Sequence, residues 1–295
     1  MVGEDVKLDA RRVGRWTDEE RLVVTRERIA AYAAATNDPI PAHLAGEVAP
    51  PVFAVVPVFK TMMAAGVDAI PAELFTRVLH SAHDIRFHRP IRPGDTLASR
   101  GRMIGYEGMR KGRRAQKGTR MVMMLETRTD AGALVTEQYV TILVLGFNAG
   151  EPVGELGPHH ALEESVRDRP PVASVAQHVD RDQTFRYAAA SGDQMPIHLD
   201  ENVAIDAGLP GIIVHGLCTM AFASWAILTE VCGADVTRLQ RIAVRFSNMV
   251  RPGDDLETRL WKRTEAETAT VHDYVFETMR GKDVVITDGL AELCP

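Results

Sequence analysis

Tyr187-Ala-Ala-Ala-Ser-Gly-Asp193-Gln-Met-Pro-Ile-His198 decides the reading of this chain, because Tyr32-Ala-Ala-Ala-Thr-Asn-Asp38-Pro-Ile-Pro-Ala-His43 repeats its frame 155 residues earlier. Each stretch sets a Pro three residues, and a His five residues, after its Asp. A second match lies downstream: Arg86-Phe87 leads to Arg92-Pro93-Gly94-Asp95 as Arg245-Phe246 leads to Arg251-Pro252-Gly253-Asp254, here 159 residues apart. A period this long exceeds any solenoid unit and implies two copies of a whole domain. The length of 295 residues agrees with two domains of roughly 100–200 residues each.

Composition narrows the class. Hydrophobic residues at 45% and charged residues at 25% are ordinary for a folded soluble protein, and a formal charge of −6 gives no reason to expect nucleic acid as a partner. The three cysteines, Cys218, Cys232 and Cys294, form no C-x-x-C pair, which suits a reduced, cytoplasmic protein. The start of the chain has neither a basic n-region nor an apolar h-region, so no secretory signal is expected. Leu209 to Cys232 is apolar enough to raise a membrane span, but Pro210 and Gly211 interrupt it. A spanning helix wants about 20 uninterrupted apolar residues. A helix buried inside a domain and wrapped by a sheet is the favoured reading.

The element pattern is the same in both copies. In the second, Asp180-x-x-Gln183 resembles a capping box opening a short helix through Phe185 and Ala190. A long apolar helix runs from about His215 to Val231 and stops at Gly233. Strands are expected at Arg241 to Phe246, Leu256 to Lys262, Thr268 to Thr278 and Val284 to Leu293. In the first copy a short helix near Glu27 to Ala35 and an apolar helix near Val56 to Ala65 precede strands near Ser81 to Phe87, Thr96 to Tyr106, Arg120 to Thr129 and Leu134 to Leu145. Phe147 to Val172, rich in Gly, Pro and Glu, reads as a linker. The expected division is residues 1–150, a linker at 151–172 and a second domain at 173–295. The fold class is α+β, each unit a helix held by a curled antiparallel sheet.

Tyr187, Ser191-Gly192-Asp193-x-x-Pro196-x-His198, Val214-His215-Gly216 and Ser224 together resemble the signature of the MaoC-like dehydratase, or (R)-specific enoyl-CoA hydratase, family. The two-copy arrangement resembles its double-hot-dog members, so the resemblance covers nearly the whole chain. One position departs: the family usually carries Asn where this chain has Met195. The resemblance implies a hydro-lyase acting on an acyl-CoA thioester with no cofactor beyond the CoA of its substrate.

Hydrating a 2-enoyl thioester needs a water deprotonated as it attacks C3, a proton delivered to C2, and a stabilised enolate oxygen. Asp193 and His198, five residues apart across a turn-forming Pro, can direct both side chains at one water, and are the catalytic candidates. Which of them takes the proton stays open at this level. Gly216 opens the buried helix, where a free N–H meets the positive end of the helix dipole, and is the oxyanion-hole candidate. Ser224, two helical turns on, is implied by the resemblance to hydrogen-bond the bound acyl-CoA. His215 is expected to shape the helix start, and Tyr187 to pack.

The first copy keeps Asp38 and His43, but the Val55-Val56-Pro57 stretch stands where Gly216 would fall, so one active centre is expected, in the second copy. The first copy is then expected to bind the acyl chain; a second centre at Asp38 and His43 is the alternative. Arg110, Lys111, Arg113 and Arg114 crowd a hairpin of the first copy and are candidates for CoA phosphates or an acidic carrier protein. His80, His83 and His88 lack a zinc spacing, and no metal is expected. No Gly-x-Ser-x-Gly, P-loop or dinucleotide fingerprint is present. The expected function is reversible (R)-specific hydration of long-chain or bulky, steroid-type enoyl-CoA. The alternatives are a 3-hydroxyacyl-carrier-protein dehydratase, or a non-catalytic acyl-CoA-binding protein prompted by Met195. A monomer or homodimer suits a chain that already holds two hot dogs.

Overall fold

The computed structural model describes residues 8–67, 70, 74, 77–109, 118–263 and 272–294. The first copy opens on strand β1 (Glu20–Val23), then helices α1 (Arg26–Ala35) and α2 (Pro41–Leu44). A 3-10 turn at Pro51–Ala54 leads into α3 (Val55–Val67), and strands β2 (Val78–Phe87), β3 (Thr96–Met109), β4 (Gly118–Thr129) and β5 (Leu134–Leu145) follow, with a two-residue β6 (Val153–Gly154) after them. The second copy repeats the order: β7 (Ala173–His178), α4 (Gln183–Ser191), α5 (Glu201–Asp206), α6 (Gly216–Val231), then β8 (Leu239–Phe246), β9 (Asp255–Lys262), β10 (His272–Arg280) and β11 (Asp283–Leu293). This is the expected double hot-dog, with one addition: a strand, β1 or β7, precedes the helices in each copy.

Compactness divides the chain differently from the sequence copies. One unit holds the chain up to Leu22, Pro57–Ile85 and Leu97–His159; the other holds Val23–Val56, Arg86–Thr96 and everything from His160 on. In the first unit the strand order is β1-β3-β4-β5-β2, with β6 on β3. Alternate residues of β3, β4 and β5 turn inward, so Met103, Met121, Met123, Leu125, Val140 and Ile142 form one core with Val58 of α3. Gly101 allows α3 to lie close on β3, since a Cβ there would come within 3.1 Å of the Thr61 carbonyl oxygen.

In the second unit the order is β8-β11-β10-β9-β7. Helix α6 is buried along Leu217–Ser224 and Ala226–Leu228, which explains a helix apolar on all sides. Gln177 of β7 donates its side-chain N–H to the Phe222 carbonyl at 2.7 Å, tying sheet to helix. Gly233, at φ +63°, supplies the left-handed residue that stops the helix. Among the described residues no helix is long and apolar enough to cross a membrane.

Helices α1 and α4 pack as a pair inside this unit, with Tyr32 and Tyr187 both fully buried and their hydroxyls 3.5 Å apart. The Trp225 indole N–H donates to the Thr36 carbonyl at 3.1 Å, and Arg186 donates to the Ala34 carbonyl at 2.8 Å. The capping box is half realised: Gln183 accepts the Asp180 N–H at 3.1 Å, while the Asp180 carboxylate pairs with Arg186 instead of capping the helix. The 147–172 segment carries β6 and a 3-10 turn at Glu164–Asp168 whose Val166 is buried with Leu162 and Trp261.

Candidate active site

A left-handed residue ends the first helix of each copy, Asn37 at φ +50° and Gly192 at φ +85°, and throws the following Asp out of the helix. The Asp then accepts the backbone N–H two residues on: Ile40 to Asp38 at 2.9 Å, Met195 to Asp193 at 3.1 Å. Thus position 195 acts through its backbone, and the Met195 side chain is exposed. A 3-10 turn at Pro196–His198 brings His198 back toward Asp193.

His198 is buried and its Nδ1 lies 2.8 Å from the Ile213 carbonyl oxygen, which can only accept; Nδ1 therefore carries the proton and Nε2 keeps a lone pair. His215 caps α6, and by the same argument its Nε2–H donates to the Asp193 carbonyl at 3.1 Å. Its ring stacks on His198, centroids 3.8 Å apart and planes 28° apart, with the Tyr187 ring 4.9 Å away. A nitrogen of each His and a carboxylate oxygen of Asp193 lie within 4.8 Å of one another.

Burial sets the protonation states. It raises the Asp193 pKa, opposed by the attraction of His198, and lowers that of His198, so both shifts favour uncharged side chains. His215 is driven to about 3, chiefly by burial and then by its neighbour His198. A desolvated carboxyl beside a neutral imidazole with a free Nε2 can take and return a proton.

Gly216 is the first residue of α6, so its amide has no intrahelical acceptor, and it directly follows the ring that stacks on His198. A Cβ at Gly216 would sit 3.3 Å from the Phe246 ring. Ser224 lies about 12 Å further along α6; its hydroxyl is buried with no protein partner among the described residues. Arg110, Lys111, Arg113 and Arg114 lie outside the described residues.

The first copy provides an internal comparison. The Val214 N–H donates to the Val250 carbonyl at 2.8 Å, and the Ala49 N–H donates to the Ile91 carbonyl at 3.0 Å. Val250 and Ile91 are repeat counterparts, so Ala49-Pro50-Pro51 stands where Val214-His215-Gly216 stands. This corrects the sequence alignment: the residue in the place of Gly216 is Pro51, which has no N–H to offer an oxyanion, and not the Val55-Val56-Pro57 stretch. A cavity of about 260 Å³ opens beside Pro50 and Pro51, walled by Phe87 and Ile91. Asp38 and His43 are buried and bonded directly, Nδ1 to Oδ2 at 2.7 Å. The sequence singled out Asp193, His198 and Gly216; the structure brings Asp193 and His198 together with His215, the residue before Gly216, which the sequence reading missed as a member of the cluster although the His-Gly pair was in view.

Comparison with known proteins bears on the same residues. The MaoC-like domain model matches residues 163–279, and a FAS1-like dehydratase-region model matches residues 11–138. The 3-hydroxyacyl-thioester dehydratase Y of Mycobacterium tuberculosis is 32% identical over 73% of this chain and 72% of its own length. The peroxisomal multifunctional enzyme type 2 of Mus musculus is 28% identical over 83% of this chain, which spans only 32% of that longer protein. The solved MaoC-like dehydratase of Phytophthora capsici superposes with a TM-score of 0.82 at 22% identity, covering 98% of both chains. With its Asp193–His198 cluster inside the matched segment, the chain belongs to the MaoC-like dehydratase family.

Proposed function

We propose that this chain is a hydro-lyase that adds water to trans-2-enoyl-CoA to give the (R)-3-hydroxyacyl-CoA, and runs the reverse reaction. The observation that carries the reading is the open pair: Asp193 and His198 share a buried site, yet His198 spends its Nδ1–H on the Ile213 carbonyl and leaves Nε2 free. In hydration Nε2 accepts a proton from water as the oxygen bonds to C3. The C2=C3 electron pair moves toward the thioester oxygen, which the Gly216 amide stabilises, and the pair returns the proton at C2. Water is thereby added with no net change in the protein's protons. Removing an oxyanion donor typically costs about 10²–10³-fold, which supports a single centre in the second copy, because Pro51 of the first copy has no N–H to match the Gly216 amide.

We infer that the acyl group is long or bulky. Methionine is adaptable packing material, and the core of the first unit includes Met103, Met121 and Met123, with the Met123 sulfur set against the Gly66 backbone. Arg outnumbers Lys 28 to 6, as in proteins of GC-rich genomes, and sterol-type acyl chains are the bulky class favoured on that association. Arg110, Lys111, Arg113 and Arg114 are assigned to the CoA phosphates in this reading. The name of the mycobacterial relative supports dehydration of a 3-hydroxyacyl thioester, and the second reading is that this thioester is on a carrier protein.

The test is hydration of trans-2-enoyl-CoAs from short straight chains to steroid side chains, with chiral analysis of the product. Formation of the (R)-3-hydroxy product sustains the assignment. Turnover of carrier-protein thioesters alone selects the second reading, and tight CoA-ester binding without turnover of any thioester overturns both.

A further inference from the structure

The molecule contains the same Asp–His pair twice, and the two copies differ in one geometric respect. Asp38 and His43 are closed on each other at 2.7 Å and sealed from solvent. In the second copy the His198 Nδ1–H goes instead to the Ile213 carbonyl, although Asp193 is close enough to share one small site with it. Both copies share the left-handed residue before the Asp, the Asx-type turn after it, and the Pro two residues before the His. One equivalent position does differ: where the second copy has His215, the first has Pro50.

We propose that His215 is the positioning residue that holds the Asp193–His198 pair open, so that a water occupies the place a direct ion pair would take. This rests on the hydratase reading of the same site. Two contacts do the holding. The Nε2–H of His215 fixes the Asp193 carbonyl, and with it the backbone from which the carboxylate hangs. The ring face of His215 lies on the His198 imidazole and keeps that ring directed at the Ile213 carbonyl. His215 is itself held: it is buried, and its ring packs on Tyr187, whose hydroxyl meets that of Tyr32. Its Nδ1 is buried with no protein partner among the described residues, which leaves it able to hydrogen-bond a water. Pro50, at the equivalent position of the first copy, has no N–H and no flat π-face, and the pair of that copy has closed.

The experiment compares wild type, His215→Gln and His215→Phe in the full chain. Gln keeps an N–H that can reach the Asp193 carbonyl but loses the stacked ring; Phe keeps the ring and loses the N–H. Circular dichroism checks that each variant folds. Crystal structures and the ¹⁵N-histidine spectrum report on His198 without any substrate, with His43 as the built-in standard of a closed pair. The expected result is that in at least one folded variant the His198 Nδ1–H leaves Ile213 for the Asp193 carboxylate and the His198 titration moves upward. In that variant kcat falls by about 10²-fold, the scale on which a misplacement of about 1 Å acts, while KM changes little. The proposal is overturned if His198 keeps its bond to Ile213 and its titration in both variants. Loss of the hydratase reading would show separately, as wild-type inactivity on every thioester with these spectroscopic changes intact.

Discussion

At the residue scale the site sets stability against chemistry. Asp193 has a raised pKa because burial disfavours its anion, so the stability it contributes is full below the ordinary value of 3.8 and is lost as pH rises through the raised one. At neutral pH the anion is a net cost. Asp193→Asn, which keeps the shape, is expected to raise Tm by about 2–4 °C, the response to roughly 1 kcal/mol in a chain of this size, while lowering kcat/KM by about 10²–10⁴-fold. Calorimetry and the hydratase assay on the same sample check the two halves. His198 has the opposite shift: with its pKa lowered by burial, the imidazole stays neutral to more acid pH than a free one. The acid limb of the kcat/KM profile is therefore expected below pH 6.5, and His198→Ala abolishes that limb together with most of the rate.

At the scale of elements, a buried histidine gives β2 a pH dependence of its own. His83 is 1% exposed and its Nε2–H donates to the Gln138 side-chain oxygen at 2.9 Å, on the neighbouring β5. Burial lowers its pKa to about 4. The unfolded chain therefore binds a proton first: the stability from neutral His83 is full above pH 6.5 and is lost as pH falls toward 4. In His83→Leu, urea midpoints are expected to drop at pH 7 by the equivalent of about 1–3 kcal/mol, because the buried Gln138 side-chain oxygen loses the His83 N–H. The gap to wild type is expected to narrow between pH 7 and pH 4.5. The elements themselves were legible wherever a period ran long: α6 and β5 sit where the apolar helix and the 134–145 alternation put them. Strand β7 was not, because Ala173-Ser-Val-Ala-Gln-His is short and weakly apolar and lies at the end of the strand order. The counterpart of Gly216 was misplaced for a local reason. The extra chain that forms α5 lies between His198 and Val214, so the offset found at the Asp and His no longer holds at the helix start. Sequence identity located the Asp–His pairs; only a shared hydrogen bond located Pro51.

At the scale of the whole molecule, duplication and compactness disagree, and the disagreement is testable. The unit holding the candidate site takes Val23–Val56 and Arg86–Thr96 from the first copy. These segments pair with each other as their counterparts do, Val24 N–H to the Asp95 carbonyl at 2.9 Å and Val179 N–H to the Asp254 carbonyl at 3.0 Å. They also complete the surroundings of the site. Tyr187, which packs on His215, buries its hydroxyl against Tyr32. Gln183 donates to the Ala35 carbonyl, and Trp225 of α6 donates to Thr36. A fragment of residues 151–295 contains every catalytic candidate yet would expose Tyr187 and one side of α4, and leave the Trp225 N–H and the Gln183 amide without acceptors. Each such polar group costs about 1–3 kcal/mol if it stays buried, against a total stability of about 5–15 kcal/mol. The fragment is therefore expected to show no cooperative unfolding transition and no hydratase activity on its own. Co-expression with residues 1–150 is expected to restore both, since the missing partners are then supplied in trans. A 151–295 fragment that folds cooperatively and turns over enoyl-CoA alone would show that the second copy is self-sufficient and that the α1–α4 pairing is dispensable to the site.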